Sequence, residues 1–95
     1  MSLPRNETTD KLFQSFLSLE SLDECYQYFE DLCTIKEVIA MSQRLEVAKR
    51  LAAGESYLKV TEDTGVSSAT VGRVKRCLDY GTGGYKMVLA REDNE

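Results

Sequence analysis

The sequence has no histidine, a single proline, and three cysteines that form no Cys-x-x-Cys pair. Each shortage removes a class of chemistry. Without histidine the chain lacks the commonest general base and the commonest metal ligand. Cys25, Cys33 and Cys77 are odd in number and scattered, which argues against a disulfide framework or a structural zinc site. They are expected to be buried free thiols acting as small hydrophobes. No run of 18 apolar residues occurs, so neither a membrane-spanning helix nor a membrane partner is expected. The opening residues lack the basic-then-apolar order of a secretory signal, which makes the cytoplasm the expected location. Alternating Val/Ile/Thr runs and Asn-Gly turns are missing, so strands are not expected. The glycine-rich stretch from Gly81 to Gly84 lacks the lysine and preceding strand of a phosphate-binding loop. No nucleophile stands beside an identifiable base. The chain is therefore expected not to be an enzyme: no catalytic residue, no metal site and no required cofactor.

What remains is an ordinary soluble composition, 42% hydrophobic and 29% charged, in 95 residues. That length makes one domain, residues 1–95, with a small core whose stability dimerisation commonly supplements. The net charge of −4 disfavours nucleic acid only if it is spread evenly. It is not. Residues 1–33 carry two basic and seven acidic side chains, residues 34–80 eight and six, and residues 81–95 two and three. Residues 67–78 hold Arg73, Lys75 and Arg76 and no acid.

Apolar spacing predicts helices. Leu12, Phe13, Phe16 and Leu17 place the first at about Thr9–Leu19. Ser21 with Glu24 forms a capping box for a second, whose stripe is Leu22, Cys25, Tyr26, Phe29, Leu32 and Cys33. Thr34 with Glu37 opens a third and longest, Ile35–Ala53, with Ile35, Val38, Ile39, Leu45, Ala48, Leu51 and Ala52 on its apolar side and Gly54 at its end. These stripes are expected to be core or dimer seam. The whole reads as an all-α bundle of about six helices.

The segment Ser56–Leu78 has the pattern of a helix-turn-helix. A short helix over Ser56–Thr64 turns Leu58 or Val60 inward, Gly65 makes a left-handed turn, and Val66 fills the angle between the helices. Ser67 caps the second helix, along which Val71, Val74 and Leu78 face the core. Thr61 stands where alanine is usual, so its hydroxyl needs a partner. The outward face of the second helix offers Ser67, Ser68, Ala69, Thr70, Gly72, Arg73, Lys75 and Arg76 to double-stranded DNA. Small residues let the backbone approach the groove, hydroxyls and a methyl can meet base edges, and the cations reach phosphates or guanine. The same pattern also suits a helical protein-interaction module that binds no DNA. A last short helix is expected over Tyr85–Arg91, with Tyr85, Val88 and Leu89 packing and Asp93–Glu95 frayed.

Thr34-Ile-Lys-Glu, Ser42-Gln-Arg-Leu, Leu51-Ala-Ala-Gly-Glu and Ala69-Thr-Val-Gly-Arg together resemble the Trp repressor superfamily. Tyr80-Gly-Thr-Gly-Gly-Tyr is similar to its YerC/YecD-type branch of regulators. The resemblance implies an intertwined homodimer: residues 1–55 as dimerisation helices, 56–78 as the helix-turn-helix, and 79–95 as a hinge and short helix. It implies a transcriptional regulator, a repressor in type, that reads DNA as a two-fold dimer. It also implies a small-molecule corepressor such as L-tryptophan. Arg44 and Arg73 match the two arginines that hold it, and Thr34 and Thr70 fall at positions lining its pocket. Guanidinium groups pair with carboxylates and stack on indole faces. Val74 and Cys77 stand where the tryptophan binders carry glycine and serine.

Overall fold

A computed structural model describes residues 2–93. Among these residues there are six helices and no strands: α1 (Glu7–Leu17), α2 (Leu22–Leu32), α3 (Ile35–Ala52), α4 (Tyr57–Thr64), α5 (Ser68–Tyr80) and α6 (Gly84–Asp93). The all-α expectation holds. The chain divides into two compact units, the first ending at Ile35 and the second beginning at Lys36.

In the first unit, α1 starts two residues before the expected Thr9 because Asn6 is the cap. The Asn6 side chain accepts the Thr9 N–H at 2.8 Å, which makes Thr9 a residue of the first turn. The helix ends at Leu17 rather than Leu19. The Ser18 hydroxyl donates to the Ser15 carbonyl at 2.6 Å, and the Ser18 and Leu19 amides bond three residues back instead of four. Ser21 caps α2 as expected, accepting the Glu24 N–H at 3.1 Å, but Glu24 returns its bond to the Glu20 amide. Phe13, Phe16, Tyr28 and Phe29 meet ring to ring, with centroids 5.1–6.1 Å apart, and the Ser15 and Tyr28 hydroxyls share a 2.6 Å hydrogen bond. Neither helix contains a buried residue. Leu17, Leu22 and Tyr26 are 85%, 72% and 70% exposed.

The core lies in the second unit. Val47, Ala48 and Leu51 of α3, Val60 of α4, Val66 of the turn, Val71, Val74 and Leu78 of α5 and Leu89 of α6 form one buried cluster, with Tyr85 packed against it. Of the expected α3 stripe, Ala48 and Leu51 are buried, Val38 is half-buried, and Ile35, Ile39, Leu45 and Ala52 are exposed; Val47, outside that stripe, is fully buried. The helix stops in a Schellman turn. Gly54 takes φ +95°, its N–H reaches the Leu51 carbonyl, and the Glu55 N–H reaches back to Arg50. At the other end α6 is longer than expected, from Gly84 through Asp93. Tyr85 and Leu89 pack, but Val88 is exposed. The expected fraying of Asp93 is not seen, and Asn94 and Glu95 lie outside the described residues. The thiols also differ from expectation, Cys25 and Cys33 being half-buried and Cys77 exposed, because α2 buries no residue and Cys77 stands off the Val71, Val74 and Leu78 stripe of α5.

A large-to-small change in the cluster removes transfer energy and leaves a void. Leu78→Ala is expected to lower unfolding free energy by about 2–4 kcal/mol in urea titrations at fixed protein concentration. A loss below about 1 kcal/mol contradicts this description of the core.

Candidate nucleic-acid interface

Every local feature of α4, the turn and α5 has a sequence cause. The Ser56 hydroxyl accepts the Lys59 N–H at 3.1 Å and starts α4. Gly65 closes that helix at φ +70°, a left-handed conformation that a side chain would strain. The Thr64 hydroxyl donates to the Val60 carbonyl at 2.6 Å and accepts the Val66 N–H at 3.2 Å, so the amide of the buried Val66 is paired. Thr61 finds its partner in the same way, donating to the Tyr57 carbonyl at 2.9 Å. Val60, not Leu58, turns inward; Leu58 is 66% exposed.

Ser67 caps α5, accepting the Thr70 N–H at 3.2 Å and donating to the Thr70 hydroxyl at 3.0 Å. Both side chains are therefore engaged in the cap. Val71, Val74 and Leu78 turn inward. At 100° per residue the opposite arc runs through Ser68, Asp79, Gly72, Arg76, Ala69, Tyr80 and Arg73. Ser68, Ala69, Arg73 and Arg76 are exposed, and Gly72 is half-buried. Neither arginine makes an ion pair among the described residues. Lys75 does, reaching Asp79 at 3.3 Å from the edge of the arc. That pair is exposed and has the cation N-terminal to the acid, the weaker order on a helix, so it holds Lys75 lightly.

Charge is distributed to match. The first turns of α1, α2 and α3 carry carboxylates that neutralise the positive helix ends: Glu7 and Asp10, Asp23 and Glu24, and Glu37. The first turns of α4 and α5 carry none, and both helices are capped by serine alone. The start of α5 thus keeps its partial positive charge beside Arg73 and Arg76.

Two residues that sequence reasoning missed hold this head in place. Arg50, in the last turn of α3, bonds both Glu55 oxygens, with Nη2 2.6 Å from Oε1, and donates to Asp63 of α4 at 2.7 Å. It ties the end of α3, the connecting turn and α4 together. The bonds to Glu55 and Asp63 push the Arg50 pKa up, and the Arg50 bond holds the Glu55 carboxyl below its ordinary value. No sequence signal marks this network, since its spacings of five and 13 follow no helical repeat. The second residue is Tyr57, whose hydroxyl donates to the Ser68 carbonyl across the α4–α5 angle. A glycine in the middle of α5 is the clue available in the sequence, because it costs helix stability unless something packs there.

The four residues matched to a corepressor pocket are distributed as follows. Thr34 is exposed in the turn before α3 and belongs to the first unit. Arg44 on α3 is half-buried, and Arg73 on α5 is exposed; neither pairs with a carboxylate among the described residues. Thr70 is half-buried and occupied with the α5 cap. Val74 is turned wholly into the core, and Cys77 is exposed.

A sequence model described as Trp repressor protein matches residues 7–93. The chain belongs to the Trp repressor family. An uncharacterised protein named YerC from Bacillus subtilis (strain 168) is 53% identical over 87 residues, spanning 92% of this chain and 84% of that protein. A solved structure of a candidate Trp repressor from Staphylococcus aureus superposes with a TM-score of 0.91 at 45% identity, covering 96% of this chain and 91% of that one. A TrpR-like protein from Eubacterium eligens ATCC 27750 gives 0.90 at 48% identity, covering 94% and 92%. Among the described residues no helix is long and apolar enough to cross a membrane, and no cluster of ligating side chains is placed to hold a metal.

Two outcomes follow. Ser67→Ala removes the α5 cap and is expected to cost about 1 kcal/mol of stability in urea titrations. The Arg50–Glu55 bond stabilises the fold above the ordinary Glu55 value of 4.5, and this contribution fades as pH falls through the lowered folded value. The melting temperatures of the wild type and Glu55→Gln should therefore differ at neutral pH and converge in acid. A gap that persists unchanged below pH 3 contradicts the assignment.

Proposed function

We propose that the protein is a dimeric, sequence-specific DNA-binding transcriptional repressor of the cytoplasm, and that α5 is its reading helix. Family membership supports a DNA-binding regulator in general. The observation that carries the finer reading is the outward arc of α5, where Ala69, Arg73 and Arg76 are exposed and no carboxylate neutralises the arginines. Ala69 suits contact with a thymine methyl, and Ser68 offers a hydroxyl to base edges. Arg73 and Arg76 suit phosphates or guanine, and Lys75 joins them once a phosphate displaces Asp79.

A dimer suits the first unit. Neither α1 nor α2 buries a residue, and Leu17, Leu22 and Tyr26 project into solvent. Such apolar faces are stable when a second copy covers them. Two heads on a two-fold axis read half-sites one helical turn apart, about 34–36 Å, a spacing established for helix-turn-helix dimers that include this family.

A small-molecule corepressor is the second part of the proposal. Arg44 and Arg73 are two cations on separate helices with no acid of their own, which supports binding of a carboxylate ligand such as L-tryptophan. Val74 faces the core and takes no space on the outward side.

Selection from a two-fold-symmetric duplex library, followed by anisotropy titrations over a salt series, tests the reading. An enriched site and a steep decline of affinity with salt are expected, and Arg73→Ala and Arg76→Ala should each reduce the log–log slope by about one while dimer mass is unchanged. If no site is enriched even at low salt, the helices form a protein-interaction module instead. Added L-tryptophan should tighten binding; equal affinity with and without it removes the corepressor from the account.

A further inference from the structure

We propose that Tyr57 is a positioning residue that locks the reading helix from its outer side, and that Gly72 is glycine to make room for it. The inference rests on the reading of α5 as the DNA-contacting helix. Tyr57 is the first residue of α4 and is 42% exposed, so its ring is not part of the buried cluster. Its hydroxyl donates to the carbonyl of Ser68, the first residue of α5. One α-helical turn further on, a Cβ built at Gly72 would stand 3.0 Å from Tyr57 Oη and 3.8–3.9 Å from the ring edge. The phenol therefore lies along the Ser68–Gly72 edge of the outward arc.

This placement has a consequence for reading. The buried valines hold α4 and α5 together from the inside, but aliphatic contacts are not directional and tolerate small rotations of one helix on the other. A hydrogen bond fixes both distance and angle. Tyr57 makes one to the backbone of the first turn of α5, the turn that enters the groove in a helix-turn-helix. It consequently sets where Ser68, Ala69 and Arg73 stand relative to α4. Base-edge contacts need that placement, whereas phosphate contacts by long flexible side chains do not. Loss of the lock should erode discrimination between sequences while leaving charge-driven binding in place.

Affinities of the full-length protein for the library-selected duplex and for a scrambled duplex of equal length test this, in the wild type, Tyr57→Phe, Gly72→Ala and the double variant. Circular dichroism melts confirm that each is folded at the assay temperature, and Tyr57→Phe keeps the ring should Gly72→Ala unfold. Tyr57→Phe is expected to weaken selected-site binding by 5- to 50-fold and scrambled-site binding by less than twofold. Gly72→Ala, whose Cβ would crowd the Tyr57 hydroxyl, should shift the phenol by a few tenths of an ångström and give a smaller loss in the same direction, and the double variant should be no worse than Tyr57→Phe alone. Equal selected-site affinity for wild type and Tyr57→Phe overturns the inference and leaves the functional reading standing. So does a parallel loss on both duplexes, which marks a merely structural role. A wild type that does not distinguish the two duplexes overturns the functional reading and this inference with it.

Discussion

Burial of five valines is the constraint on which the second unit depends. Val47, Val60, Val66, Val71 and Val74 come from α3, α4, the turn and α5, and each is nearly or wholly removed from water. Burying such a side chain stabilises by about 1.5–3 kcal/mol. A β-branched side chain is stiff at its first torsion, so the cluster sets which faces of the helices meet. Once Val71 and Val74 must face inward, helical geometry turns Ala69, Arg73 and Arg76 outward. The chemistry of α5 toward a partner is thus a by-product of how its valines are spaced.

Polar groups complete what the valines begin. Three serines and an asparagine start four of the helices, and hydroxyls of Thr61 and Thr64 bond to carbonyls within α4. Among the described residues, no buried side-chain polar atom lacks a partner. Arg50 bridges α3, Glu55 and Asp63, so the head is anchored through a directional charged contact as well as by apolar packing. No acid stands in the first turn of α4 or of α5. An overall negative protein thereby presents one short positive stretch.

Much of this was legible in the sequence. Apolar spacing gave six helices, and the Gly-Val-Ser run placed the turn and the α5 cap correctly. Errors arose where a short contact outweighed a pattern. Asn6 started α1 early, and Val47 joined the buried cluster while Ala52 stayed exposed. Of the expected site residues, Ser67 and Thr70 bond to each other, Lys75 leans on Asp79, and Gly72 makes room for Tyr57. Ser68, Ala69, Arg73 and Arg76 remain open to solvent. Arg50 and Tyr57 were invisible because their partners are brought near by the turn, and spacing along a chain carries no signal for contacts made through a turn.

The central claim is that the outward arc of α5 meets DNA. Amide chemical shifts of the isotope-labelled protein, followed while the selected duplex is titrated in, test it most directly. The account predicts that the largest shifts fall on Ser68, Ala69, Arg73 and Arg76, with small ones across α1 and α2. Shifts concentrated on α1, α2 or α6 with α5 unmoved would contradict it.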